Sequence, residues 1–407
     1  MAMINSQKPE FGLLSGLRVI MIGLSVAAPF AGELYAEHGA DVIWIENPKA
    51  VDSARVARKG GSWQQDRRNM RSLTMNYRSE KGREAFLRLI ASTDVLIEAS
   101  VGGSFARAGL SDETLWQANP GLIIAHISGF GQTGDPEYVK RASYDPIAQA
   151  FGCVMRMNGV EGLPSMPAMP FPGDYSAAFY AFGMSLAALY KRQQTGKGES
   201  VDVAQYEVMV RIQADYLTNG LNYGIQAPRM GIYGNSVCAL PNVQICGDGN
   251  YVMTAIGGVS NFVKLEKLLG LEGDPDFAEP HAVINKSDGP RAEKIVEAMN
   301  KYCMARTAEQ VNDEFNALKL PCSVIMTYEM MKKNSHYLAR GTFTTWHDDN
   351  KDKDLMGVNC IPFFKNNPSQ IFRGGPVYGA DNEDILGELG YSEAEIADMY
   401  SKEVIKK

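Results

Sequence analysis

A lone carboxylate, Asp174, stands between a Pro/Gly-rich approach, MPAMPFPG (166–173), and an uncharged run that lasts to Tyr190. Two chemistries suit an acid in that place. As a helix N-cap it would accept hydrogen bonds from the first free backbone amides, in a position where the helix dipole favours negative charge. As a nucleophile it would need an electrophile that a carboxylate can attack, such as an acyl thioester or a phosphoanhydride. Local sequence alone leaves both open. Gly257-Gly258, after an apolar strand-like run, could bring backbone close to such a centre or simply end the strand.

The remaining reactive residue types narrow the field. Six cysteines (Cys153, Cys238, Cys246, Cys303, Cys322 and Cys360) form no CxxC pair and have no histidine nearby, so they read as reduced thiols and not as a disulfide frame or zinc site. Five histidines, none at ligand spacing, make His-based triads and metal hydrolases poor fits, and no metal is expected. TGKGES (195–200) lacks the upstream glycine of a P-loop and reads as a turn. Between 55 and 78, seven cations (Arg55, Arg58, Lys59, Arg67, Arg68, Arg71 and Arg78) face one acid, Asp66; the run could hold a polyphosphate or be a solvated charged loop. Arg107, close to Gly102-Gly103, is a better-placed single cation.

The elements that must position these residues are visible as apolar runs. LRVIMIGLS (17–25), ADVIWIEN (40–47), RSLTMNY (71–77), DVLIEAS (94–100), GLIIAHISG (121–129) and ESVDVAQY (199–206) read as strands, with amphipathic helical stretches between most of them. That alternation predicts an α/β fold, a doubly wound parallel sheet of Rossmann-like type. The turn after the first strand, GLSVAAPFAG, lacks the dinucleotide fingerprint, so a nicotinamide enzyme is not supported. Past about residue 222 the rhythm changes. VQICGDGNYVMTAI (243–256) predicts a hairpin, three helices follow, and PCSVIMT (321–327) returns as a strand. The expected organisation is a large domain beginning at 1–222, a smaller α+β domain at 225–330, and a segment 335–407 that returns to the large domain. Two helix starts carry capping boxes, at Thr307/Gln310 and Ser392/Glu395.

With 407 residues, 45% hydrophobic and 21% charged, the composition is that of a globular protein, and the length favours two domains. A formal net charge of −7 argues against a nucleic-acid partner. The polar start MAMINSQKPEFG and the absence of a long apolar segment point to a cytoplasmic chain with no membrane partner.

Taken in order and spacing, several stretches resemble the family III CoA-transferases over the length of the chain. They are AAPFAGELYAEHGADVIWIENP (27–48), RNMRSLTMNYRSEKGREAFLRL (68–89), VLIEASVGGSFARAGL (95–110), HISGFGQTGDPEY (126–138), GDYSAAFYAFGMSLAALYKRQQTGKGESVDVAQYE (173–207) and GADNEDILGELGY (379–391). The resemblance implies a nucleophilic Asp174 that is both cap and catalyst. It would carry CoA between an acyl-CoA donor and a free carboxylic acid through a mixed anhydride and an aspartyl-CoA thioester. CoA contacts are implied at Ala27 (beside Val26), at Asn76, Tyr77 and Arg78 with Met75, and at Val101 and Arg107. Gly257-Gly258 would correspond to a glycine loop over the intermediate. Val101 and Ala108 depart from several relatives that carry Lys and Arg there, a departure that would redistribute phosphate contacts onto the basic 55–78 segment. Also implied are coenzyme A or acyl-CoA as substrate with no tightly bound cofactor, and an interlocked homodimer. Features shared with carnitine/γ-butyrobetaine transferases point to that type of acid; a trimethylammonium group would seek aromatic faces such as Tyr175, Phe179, Tyr180 or Trp63. Bile-acid and 2-hydroxy-acid transferases are the alternatives. An α-methylacyl-CoA racemase would need a histidine shortly before the aspartate, where Phe171-Pro172-Gly173 stands, and a binding-only protein would not need Asp174.

Overall fold

The structure is a computed structural model that describes residues 8–57, 62–233, 238–278 and 284–407. All six runs that read as strands form one parallel sheet: β1 (Arg18–Ile22), β2 (Asp41–Glu46), β3 (Arg71–Thr74), β4 (Val95–Ala99), β5 (Ile123–Ser128) and β6 (Glu199–Ala204). The order is β3-β2-β1-β4-β5-β6, the doubly wound arrangement expected from the sequence. The central strands are buried on both faces, which explains why they read as continuous apolar runs without alternation. Strand order reverses between β1 and β4, whose registers pair Ile20 with Ile43 on one side and with Leu96 on the other. Ligands of such sheets bind outside the carboxyl ends of the strands at that switch point.

The chain divides into two compact units: Met1–Cys153 with Ala168–Ala214 and His336–Lys407, and Val154–Pro167 with Asp215–Ser335. In the first, Ile20, Ile43, Leu73, Phe86 and Leu96 share one core with Ile385, Leu386, Ile396, Met399 and Ile405 from the far end of the sequence. The C-terminal residues also close the edge of the sheet. Ser72 and Thr74 of β3 donate their amides to the Asp381 and Asn382 side chains at 2.7 and 2.9 Å, and the Asn76 amide donates to the Val404 carbonyl at 2.8 Å. A hairpin of β10 (Phe343–Asp348) and β11 (Lys353–Val358), not read from the sequence, belongs to this unit.

The second unit holds the antiparallel strands β7 (Val243–Ile245), β8 (Tyr251–Thr254) and β9 (Cys322–Val324). Val252, Phe262, Leu265, Ile295, Met299 and Phe315 lie in its core. Both capping boxes are formed.

Candidate active site

Asp174 stands in the first turn of the longest helix among the described residues, Pro172–Thr195. It is not the cap. The capping position is Phe171, with φ of 101°, and its side chain supplies no cap hydrogen bond. The acceptor comes from 29 residues upstream instead. Buried Asp145, at the start of the helix Asp145–Phe151, takes the amides of Gly173 and Asp174 on Oδ1 at 2.6 and 3.2 Å, and Gln149 Nε2 on Oδ2 at 2.5 Å. The expectation that Asp174 caps its own helix is therefore corrected, and its carboxylate is spared for other partners. The preceding glycine has a matching reason: a Cβ on Gly173 would lie 2.9 Å from Asp145 Oδ1.

The Asp174 carboxylate lines a cleft of about 330 Å³ at the carboxyl end of the sheet. The wall after β1 is Leu24 to Ala27, the wall after β4 is Ala99 to Val101, and Ile127 to Gly129 close β5. Ser53, the stretch Arg141 to Tyr144 and Gln205 complete it. Gln205, just past β6, donates from Nε2 to Asp174 Oδ1 and so sets the carboxylate plane. Arg141 lies 3.7 Å over the Tyr138 ring and is the one cation among the described lining residues. Hydroxyls are plentiful there: Ser25, Ser53, Ser100, Ser128, Ser143 and Tyr144.

Of the residues implied by the resemblance, Asp174, Ala27 and Val101 line this cleft. Asn76, Tyr77, Arg78 and Arg107 are not among its lining residues. Tyr77 packs against Phe105 at 5.6 Å, which joins the loop carrying Arg78 to the short helix carrying Arg107. Arg107 is exposed and bonded locally, to the Gly102 carbonyl at 3.1 Å and Ser104 Oγ at 3.0 Å. Burial pushes the Tyr77 phenol up, against the pull of Arg78. Gly257 and Gly258 stand in the second unit at the head of the helix Val259–Leu268; Gly258 has φ of 79° and open space where a Cβ would be.

Of the five described cations of the basic run, Arg78 is exposed and the other four serve neither a polyphosphate nor solvent. Four of its cations are buried in ion pairs: Arg55 with Glu46 at 2.7 Å, Arg67 with Asp52 at 2.7 Å, Arg68 with Glu33 at 3.1 Å and with Glu37, and Arg71 with Asp41 at 2.7 Å and Glu388 at 2.8 Å. Arg58 and Lys59 lie outside the described residues. The aromatic residues suggested for a trimethylammonium group are also placed elsewhere. Tyr175 and Phe179 meet Phe30 edge-on at 4.8 and 5.3 Å, Trp63 is stacked on Arg55, and Tyr180 lines a separate groove with Met184.

A second polar chain runs from the cleft into the sheet, and sequence reasoning missed it. Ser100, a lining residue, donates to Glu98. Glu98 and His126 are register partners on β4 and β5, bonded at 2.6 Å through Nδ1, and His126 Nε2 meets Asp112 at 3.0 Å. Burial alone would lower the His126 pKa, but the hydrogen bonds and charges of Asp112 and Glu98 outweigh it and raise it to about 9. No signal in a single sequence pairs residues 98 and 126 beyond their shared strand pattern.

The structure thus brings a carboxylate at the head of a long helix, hydrogen-bonded by the Gln205 amide, into a cleft at the carboxyl end of a doubly wound sheet. The sequence matches CoA-transferase family III over residues 14–382, and the chain belongs to that family. A CAIB/BAIF family protein from Brucella suis is similar in structure, with a TM-score of 0.80, 26% identity, and coverage of 93% of this chain and 100% of that one. The fold is also shared with Rv3272 from M. tuberculosis, at a TM-score of 0.76, 22% identity, and coverage of 94% and 100%. Among the described residues no helix is long and apolar enough to cross a membrane.

Proposed function

We propose that the chain moves CoA from an acyl-CoA donor to a free carboxylic acid, with Asp174 as nucleophile. The observation that carries this is the Asp174 carboxylate lining the cleft while Asp145, not Asp174, serves the helix amides. Attack of Asp174 Oδ2 on the thioester carbonyl expels CoA thiolate and leaves an aspartyl-acyl anhydride. The thiolate attacks the aspartyl carbonyl, forming the aspartyl-CoA thioester and releasing the donor acid. The acceptor carboxylate attacks that thioester, expelling thiolate again. Thiolate attack on the acceptor's acyl carbon then gives the new acyl-CoA and restores Asp174. In the steps at the aspartyl carbonyl, negative charge develops on Oδ1, the atom that receives the Gln205 N–H, so the same bond that orients the carboxylate stabilises the oxyanion. The helix N-terminus adds its dipole.

For the acid, the sequence resemblance supports a carnitine or γ-butyrobetaine type. The hydroxyl-rich lining, to which Tyr175, Phe179, Tyr180 and Trp63 do not contribute, is the observation that favours a hydroxylated acid, of 2-hydroxy or bile-acid type, as the second reading. A racemase is disfavoured because no histidine is among the described lining residues. Family likeness supports a homodimer without a tightly bound cofactor, and the polar composition supports a cytoplasmic location; light scattering tests the first of these. The central experiment is intact mass and peptide mapping after incubation with γ-butyrobetainyl-, bile-acid and 2-hydroxyacyl-CoA singly. A hydroxylamine-sensitive CoA adduct on Asp174 supports the reading and names the donor. CoA binding without any adduct would remove it.

A further inference from the structure

The wall of the cleft that follows β1 contains a conformational oddity. Ser25 has φ of 62°, the left-handed region that a serine seldom occupies. Its neighbours Leu24, Val26 and Ala27 all line the cleft with it, so the direction of this wall depends on that one torsion. Both backbone groups of Ser25 are gripped by a single ion pair. Arg67 Nη2 donates to the Ser25 carbonyl at 3.1 Å, and the Ser25 amide donates to Asp52 Oδ2 at 3.4 Å. The same Oδ2 receives Arg67 Nη2 at 2.7 Å, and the two side chains are 1% and 0% exposed. The pair is itself fixed. Asp52 Oδ1 takes the Ala54 amide at 2.9 Å, and the Arg67 guanidinium lies 4.7 Å over Trp44, a fully buried ring that also carries Arg55 at 4.5 Å.

We infer that the Asp52–Arg67 pair is a positioning device for the proposed transfer, holding Ser25 in its left-handed conformation and thereby fixing the β1 wall against which the acyl-CoA is seated. This rests on the reading of the cleft as the acyl-CoA site. A pair serving the fold alone would have no need to stabilise a strained torsion at the ligand face; unfavourable backbone states persist where surrounding structure overdetermines them, and they concentrate at functional sites. Neither residue reaches the reacting atoms, so the effect acts through the loop.

The test is a KM-against-kcat comparison with calorimetric CoA binding, using Asp52→Asn, Arg67→Lys and Ser25→Val. Ser25→Val leaves the pair intact but disfavours the left-handed torsion, which keeps the question answerable if a buried-charge variant fails to fold. Each folded variant is expected to raise the acyl-CoA KM and the CoA Kd by about 10- to 100-fold, with kcat changed less than about threefold. Adding Ser25→Gly to Arg67→Lys should recover most of that affinity, because glycine adopts positive φ without help, while leaving the lowered melting temperature where it was. Unchanged KM and Kd in folded Ser25→Val, or no recovery in the double variant, would overturn the proposal. Absence of an Asp174 adduct in the unsubstituted protein would instead remove the transfer reading, and the Kd comparison would still decide the role of the pair.

Discussion

The carboxylate of Asp145 accepts the backbone amide of Asp174, 3.2 Å away, so that one acid caps the helix that the other presents to the cleft. Two acidic residues thereby meet at one helix start, with different duties. The arrangement divides a task that a single Asp at a helix start would have to combine: satisfying orphan amides and attacking an electrophile.

Replacing Asp174 with Ala should lower transferase turnover by about three orders of magnitude or more, the scale seen when a nucleophile is removed. CoA binding should persist. Steady-state rates and calorimetry on the same preparation check both halves, and retained turnover would refute the assignment of the nucleophile.

Asp145→Ala removes the acceptor of two amides, and the expected loss of unfolding free energy is about 1–3 kcal/mol. Asp145→Asn, which keeps a carbonyl oxygen in place, should lose less. Urea melts of the three proteins give the ranking; equal stabilities would show that solvent satisfies these amides.

Gly173→Ala places a methyl 2.9 Å from Asp145 Oδ1. The carboxylate or the helix start must move, at a cost of about 1–3 kcal/mol, and Asp174 moves with it. Activity should fall more than stability. The double variant Gly173→Ala with Asp145→Ala relieves the clash and should be less than additive in denaturation.

Stability should decline between about pH 6.5 and pH 9. His126 has a folded pKa raised from 6.5 to about 9. Its protonated form is therefore favoured by folding: the contribution is complete below the unfolded value and is lost as pH rises through the folded one. Asp112, held below its ordinary range because its bonds to His126 and Ser200 outweigh burial, leaves its own contribution intact over this window. A loss on the order of 1–3 kcal/mol is expected by linkage. Denaturant titrations at pH 6, 7.5 and 9 would reveal it, and the same slope in His126→Gln would rule this residue out as the source.

Arg141 is the cation of the described cleft lining, but it is exposed and carries a modest load. Arg141→Gln should raise the KM for an anionic substrate about two- to fivefold, since solvent screens such a pair. A change confined to kcat would argue that it acts elsewhere in the cycle.

What the sequence shows and what it hides follow from the range of each interaction. The six strands are continuous apolar runs because both faces of the sheet are covered, a pattern readable one segment at a time. Asp174 stood out for the same reason, as a charge bordering a long uncharged helix. Its capping role was misread because the true cap, Asp145, lies a helix away, and nothing near 174 announces it. The basic run misled by counting charge along the chain. The partners Glu33, Glu37, Asp41, Glu46 and Glu388 come from other elements, so cations that read as an excess along the chain are paired in space at Arg55, Arg68 and Arg71. The β10–β11 hairpin escaped notice because its turn, DNKD (349–352), and the strand ends beside it are dominated by charge, which conceals the strands.

The edge of β3 is sealed by Asp381, Asn382 and Val404, more than 300 residues later in the chain. During synthesis, then, the first half of the sheet emerges with a row of unmet amides and an incomplete core, and stays so until residues 381–404 have left the ribosome. Bare strand edges invite pairing with other chains, and contacts of such separation are slow to close. Completion of the sheet thus waits on residues 381–404, so that a truncation removing them, far from Asp174, would leave an aggregation-prone chain with an open sheet edge.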